Sequence, residues 1–258
     1  MGNISTEQLA SAFELGEFPR SSSYEPEWVI ENMMGPNVLW LTESLSQVMD
    51  LVPGMRVLDM GCGRAISSIF LAKEFDLQVW ATDLWIEPSD NLERIRASGL
   101  ENHVFPVRAE AHDLPFSSEF FDAIVSMDAY HYFGTDDLYL AAHFCRLVKP
   151  GGQIGIVVPG LSQEFPSATP PDHLQPYWDP SFWSFHSPGW WRRHWERSGD
   201  VEVELADLIP NGWKHWMTSV EISAKWRGEQ SDEAEMLGVD NGRFLGFTRI
   251  VARRKPTV

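Results

Sequence analysis

The stretch VLDMGCGRAISSIF, residues 57–70, sets an acid, Asp59, just ahead of Gly61 and Gly63, and a helical pattern begins at once. Glycine has no Cβ, so such a turn can be tight and a ligand can come close to the backbone. The first N–H groups of the following helix have no partner within it and point at whatever sits there. A dinucleotide fingerprint would need a third glycine at position 66, where Ile66 stands. An acid at position 59 would repel a pyrophosphate but welcome an ammonium group. Asp59, Gly61, Cys62 and Gly63 therefore ask for a ligand with an amino-acid tail and an adenosine body. The competing reading is that Asp59 only caps the helix and that Cys62 is simply a small residue in a tight turn.

The next apolar segment, QVWATD, ends at Asp83, at the distance where an acid accepts from both ribose hydroxyls. Leu84 follows and is expected to cover the adenine face, while Trp85 reads equally as core or as a border of the nucleoside. RAEAHDLPF then supplies Glu110 and Ala111. A carboxylate can accept from an adenine amino group, and a backbone N–H can donate to a ring nitrogen.

These groups can meet only if several strands end side by side. RVLDM, QVWATD, VFPVRAE, FDAIVSMDA and QIGIVVP read as strands, and ISSIFLAKEF, EPSDNLERIRASG and DDLYLAAHFCRLVKPGG as helices between them. This alternation predicts a mostly parallel sheet with helices on both faces. Pro106 inside VFPVRAE favours an edge strand. Upstream, residues 3–20 and pieces of 25–52 read as helices, the latter broken at Gly35-Pro36. Downstream, 160–188 is rich in Pro, Ser and aromatics and reads as an insertion or lid. PGWWRRHWERSG reads as a helix, VEVELADLI as a strand, 213–227 as a helix, EQSDEAEMLGVDNG as an acidic connection and RFLGFTRIVARR as a final strand. One domain is expected over 1–258, with a helical extension 1–53, a cofactor-binding core 54–158, a lid 159–188 and a remainder 189–258 that completes the sheet.

Together, VLDMGCG, ATD, AEAHDLPF, FDAIVSMDAYHYF and LVKPGGQIGI resemble the class I S-adenosylmethionine-dependent methyltransferases, over about residues 54–158 and weakly beyond. The resemblance implies an α/β, Rossmann-like sheet of seven strands with the last antiparallel, closed by VEVELADLI and RFLGFTRIVARR. It implies S-adenosylmethionine as cofactor and S-adenosylhomocysteine as product. It brings Asp128 to the methionine portion and aims the methyl group at MDAYHYF. Tyr130 and His131 are then expected to line the acceptor site, with His131 as a general base because imidazole titrates near neutrality. The competing reading packs Tyr130 and Tyr132 and gives His131 a structural hydrogen bond. Two residues depart from the family pattern: Ala65 stands where many members have a third glycine, and Glu110 where Asp is commoner.

Bulk properties narrow the partners. The chain has 258 residues, 43% hydrophobic, and a formal net charge of −17, which disfavours nucleic acid and an anionic bilayer. No apolar run reaches the ~20 residues of a membrane helix. The two cysteines, Cys62 and Cys145, have no metal spacing and fit a reducing compartment. His173, His186 and His194 match no common metal site. The N-terminus lacks the pattern of a secretory signal, and MGNIST matches a myristoylation motif only loosely. Trp178, Trp183, Trp190, Trp191 and Trp195 crowd one region, as substrate walls for a flat or cationic molecule or as simple packing. The expectation is a cytoplasmic enzyme methylating a small-molecule acceptor, without metal, nucleic acid or stable membrane association, and with a homodimer left open. The rival readings are a cyclopropane-fatty-acid-synthase-like enzyme and a cofactor-binding module without catalysis.

Overall fold

Val57 and Leu58 are adjacent in the chain and both fully buried, yet they enter different apolar layers. Successive side chains of a strand point to opposite faces, so a strand buried on both sides must feed two cores. The computed structural model, which describes residues 4–256, repeats this in each central strand. Ala123 and Val125 enter one layer and Ile124 the other; Val157 enters the first, and Ile154, Ile156 and Val158 the second.

The strands are β1 Arg56–Met60, β2 Gln78–Asp83, β3 Val104–Arg108, β4 Phe121–Met127, β5 Val148–Leu161, β6 Val201–Leu208 and β7 Leu245–Arg254. They form one sheet of seven in the order β3-β2-β1-β4-β5-β7-β6. β1 runs parallel to β2 and β4, β2 to β3, and β4 to β5, whereas β7 is antiparallel to both β5 and β6. Pro106 lies in β3 at the sheet edge, where its missing N–H costs no ladder bond.

The helices are α1 Thr6–Phe13, α2 Pro26–Asn32, α3 Val38–Ser46, α4 Ile66–Phe75, α5 Pro88–Ala97, α6 Pro188–Glu196, α7 Gly212–Arg227 and α8 Asp232–Asp240. One layer gathers apolar residues of α1–α5, α7 and α8, among them Leu9, Trp40, Phe70, Trp216 and Met236. The other gathers Tyr130, Tyr139, Phe144, Trp191 and Trp195, the last two from α6. Among the described residues no helix is long and apolar enough to cross a membrane, and no group of acids, His and Cys could hold a metal ion.

Several elements differ from the sequence reading. The expected helix over 3–20 is confined to Thr6–Phe13, begun by a capping box between Ser5 and Gln8; residue 3 and the myristoylation motif's Gly2 lie outside the described residues. The expected acidic connection contains α8: Ser231 caps it, Asp232, Glu233 and Glu235 suit the positive end of its dipole, and Met236 and Leu237 anchor it. The segment before β5 is a wide, π-type helix over Leu140–Cys145 rather than a plain α-helix. β5 itself begins at Val148, ahead of the Pro-Gly-Gly expected as a stop, and its register against β4 shifts there.

The N-terminal helices are pinned by charge as well as by apolar contact. The Glu43 carboxylate, 2% exposed, accepts from Arg20 N (3.1 Å), Ser21 N (2.7 Å) and Ser21 Oγ (2.6 Å). Arg249 of β7 reaches α3 from the other side, donating to Ser44 O (2.7 Å) while it pairs with both oxygens of Asp207 (3.0 and 2.8 Å). Hydrogen bonds to a charged group contribute about 1.5–3 kcal/mol each, and their loss strands buried donors. Glu43→Ala is therefore expected to lower stability by about 3 kcal/mol, read as a lower midpoint in urea unfolding; a loss below about 1 kcal/mol would show that apolar contact alone holds this segment.

Candidate active site

The glycine turn is built from two strand ends. Gly61 N (2.8 Å) and Cys62 N (3.1 Å) both donate to Thr82 O, and Gly63 N donates to Asp83 Oδ2 (2.8 Å). Gly61 has φ +75°, and a Cβ there would collide with that of Ala129, so only glycine fits. Ala65 enters α4 at φ +61°, a left-handed conformation that costs a residue with a side chain about 1 kcal/mol. The family's third glycine would avoid that cost.

A cavity of about 350 Å³ opens above this turn. Its floor crosses the carboxyl ends of neighbouring strands: Glu110, Ala111 and His112 after β3, Asp83, Leu84 and Trp85 at β2, Met60 to Arg64 at β1, and Met127, Asp128 and Ala129 at β4. Asn32, Met34, Gly35, Pro36 and Val38, between α2 and α3, form a further wall. Sequence reasoning treated Gly35-Pro36 only as a break between helices; the break is what brings this loop over the sheet. No residue of 159–188 lines the cavity. That segment packs by its own rings, Phe182 on Phe185 (4.8 Å) and Trp178 against Phe165 (5.2 Å).

Of the expected residues, Gly61, Cys62, Gly63, Asp83, Leu84, Glu110, Ala111 and Asp128 all line the cavity. Asp83 is 7% exposed; its Oδ1 accepts from Trp85 N (2.8 Å) and Ile86 N (3.1 Å), and with Gly63 N on Oδ2 this leaves one acceptor site, on Oδ2. Glu110 is half-exposed and gripped by His112, whose N donates to Oε2 (2.9 Å) and whose Nδ1 lies 2.8 Å from Oε1. The His112 hydrogen bond holds the Glu110 carboxyl below the usual range. His112 was not singled out from the sequence, although its place two residues after Glu110 is the spacing of such a local clamp. Burial pushes the Cys62 thiol well up, so it remains a neutral wall residue.

Three expected roles require correction. Asp59 is fully buried, off the cavity wall, and its Oδ2 accepts from Ser67 Oγ and Ser68 Oγ (2.6 Å each) in the first turn of α4. Burial raises its pKa to about 6 against the pull of those two hydroxyls. It braces the helix through these side chains and caps none of its backbone N–H groups. Tyr130 is likewise fully buried, ringed by Phe133, Tyr139, Phe144, Trp191 and Trp195, with its hydroxyl enclosed among them. His131 is 3% exposed, packed against Tyr132 and Phe185, and burial lowers its pKa to about 3. A ring that resists protonation so strongly is a poor general base near neutral pH. In MDAYHYF the cavity takes Met127, Asp128, Ala129, Tyr132 and Phe133, and the two residues expected to act are the two turned away.

Asp128 is the unusual member of the wall. It sits at φ +54°, and its side chain accepts no hydrogen bond within the described residues. Burial, with the Glu233 carboxylate as a lesser cause, pushes its pKa up to about 8.

Comparison with known proteins bears on these features. Residues 57–152 match the family model of a methyltransferase domain. A glycine/sarcosine/dimethylglycine N-methyltransferase of Actinopolyspora halophila is 29% identical over 161 residues, 62% of this chain and 28% of that protein. A fatty-acid O-methyltransferase of Mycolicibacterium smegmatis is 33% identical over 105 residues, 39% of this chain and 36% of the relative. The chain thus spans less than half the length of either relative. Among solved structures, geranyl diphosphate C-methyltransferase from Streptomyces coelicolor A3(2) superposes with a TM-score of 0.66 at 18% identity, covering 95% of this chain and 87% of that one. The [4+2]-cyclase SpnF superposes with a TM-score of 0.68 at 18% identity, covering 84% and 81%. The structural likenesses speak for the fold. The matched segment, with the sheet order and the strand-end acids around it, makes residues 57–152 similar to a methyltransferase domain.

Proposed function

We propose that the protein transfers a methyl group from S-adenosylmethionine to a small-molecule acceptor, in the cytoplasm, where its two free cysteines stay reduced. The observation that carries this reading is the order of groups along the cavity: Glu110 with the Ala111 backbone, then Asp83, then the open glycine turn, then Asp128. The donor set suits the cofactor. Asp83 Oδ2 keeps one acceptor site for a ribose hydroxyl, Glu110 and Ala111 offer an acceptor and a donor for an adenine edge, and Gly61 and Gly63 leave the backbone uncovered. Leu84, 42% exposed, supplies an apolar face for the base.

When bound, the cofactor supplies an electrophilic methyl group on a positively charged sulfur. The chain has to hold the acceptor in line with that carbon and keep water away. In this reading Met34, Gly35, Pro36 and Val38 screen the site on one side while Tyr132 and Phe133 border the acceptor on the other.

The SpnF likeness favours keeping a second reading in view, since the same fold serves a cyclase. The two separate on one measurement: formation of S-adenosylhomocysteine in the presence of acceptor candidates, against binding of the cofactor without it. Asp83→Asn is expected to weaken S-adenosylhomocysteine binding at least tenfold by calorimetry, about 1.4 kcal/mol or more, with Glu110→Gln costing less because that carboxylate is half in water. An unchanged dissociation constant in Asp83→Asn would remove the ribose assignment. Tyr130→Phe is expected to leave turnover within about twofold, since its hydroxyl is buried and off the cavity; a large fall in kcat with intact folding would return Tyr130 to the acceptor site.

A further inference from the structure

We propose that the acceptor is a small-molecule amine, held by the Asp128 carboxylate at the end of β4, with Glu233 of α8 behind it and the Tyr132 and Trp85 rings at the mouth. This rests on the methyltransferase reading above and names its substrate class.

Asp128 occupies the end of the cavity beyond the groups that suit a nucleoside. The strand order fixes this, because β4 lies on the far side of β1 from β2 and β3. Among the described residues no donor reaches its carboxylate, yet loop 33–38 presses on it: a Cβ added to Gly35 would stand 2.7 Å from Asp128 Oδ2. A crowded carboxylate without donors is costly unless something that binds there donates to it.

Glu233 adds a second carboxyl group, whose pKa burial raises. Its Oε1 accepts from Trp216 Nε1 (2.6 Å), and its field reaches both Asp128 and Tyr132. At the mouth, Trp85 and Tyr132 are 71% and 62% exposed, with ring centroids 6.3 Å apart. Large exposed rings beside carboxylates suit an ammonium or its alkyl substituents.

Positive charge is scarce here. Arg64, at the glycine turn, is the one Lys or Arg lining the cavity among the described residues, and its Nη1 is turned to Glu31 O (2.7 Å). His131 stays neutral. An acceptor carrying a carboxylate or phosphate would meet repulsion and no counter-charge at this end.

The same carboxylate accounts for the proton. An amine arriving as an ammonium ion pairs with the ionised Asp128 carboxylate, which takes one N–H proton as the nitrogen turns to the methyl group. The freed nitrogen lone pair forms the N–CH3 bond while the C–S pair departs with sulfur. The products are an N-methylammonium ion, S-adenosylhomocysteine and a protonated Asp128, which returns its proton to water.

The test uses the full chain saturated with S-adenosylhomocysteine and two matched probe sets: tyramine, tyrosol and 4-hydroxyphenylacetate, and butylamine, butanol and butyrate. Binding is followed by calorimetry. In at least one set the amine is expected to bind at least tenfold more tightly than its alcohol and its acid. Asp128→Asn keeps a residue type that tolerates positive φ; it should abolish that preference while changing S-adenosylhomocysteine affinity less than threefold. Absence of amine preference in both sets overturns the proposal, as does a preference that survives in Asp128→Asn. A fall in S-adenosylhomocysteine affinity as large as the fall in amine affinity also overturns it, because Asp128 would then be serving the cofactor's own ammonium. Binding of S-adenosylhomocysteine to the wild type, measured first, reports separately on the methyltransferase reading.

Discussion

The Asp83 carboxylate ties two strand ends into one rigid floor. One oxygen takes the Gly63 N–H of the turn after β1, and the other takes the Trp85 and Ile86 N–H groups of the turn after β2. The neighbouring carbonyl, Thr82 O, accepts two more bonds from Gly61 and Cys62. Charge-assisted bonds of this kind are stronger than neutral ones and fix direction as well as distance. The glycine turn therefore holds its shape through contacts internal to the protein. Less ordering remains to be done on binding, and that cost would otherwise be taken from affinity.

Three aspartates at successive strand ends do three different things, and their neighbours decide which. Asp59 at β1 is sealed in and bound by two serine hydroxyls, so it braces α4. Asp83 at β2 lines the cavity, is held by three backbone N–H groups and keeps one acceptor site, on Oδ2. Asp128 at β4 faces the cavity with no donor among the described residues, and burial makes its charge expensive. Residue type is constant across the series; hydrogen-bond supply and exposure vary.

The sequence carried the sheet well, because a strand buried on both faces writes itself as a short apolar run and a parallel sheet requires helices between such runs. Pro106 even identified the edge. Residues expected around a cofactor line the cavity for the same reason: groups at strand ends keep their place relative to a repeating unit. The turn after β4 was harder to read. Whether Tyr130, His131 or Tyr132 faces a cavity depends on the single helical turn after β4 and on what packs beneath it, here the tryptophans of α6 sixty residues later in the chain. Asp59 misled because an acid beside a glycine turn looks the same in sequence whether it faces a ligand or two serines. The wall at 32–38 was hidden because its role comes from distant contacts, such as Asn37 N donating to Ser219 Oγ (3.1 Å), and not from local pattern.

The Arg249 bridge has a bearing on how this molecule comes into being. Every residue that lines the cavity lies before position 134, yet α3, which carries the wall loop's trailing end, is gripped through Ser44 by a guanidinium on β7. A nascent chain can emit the whole pocket from the ribosome and still lack the clamp that seats it. Completion of the site is in this way deferred to the final strand, so a fragment ending before β7 would own all the lining side chains but not the architecture that aligns them.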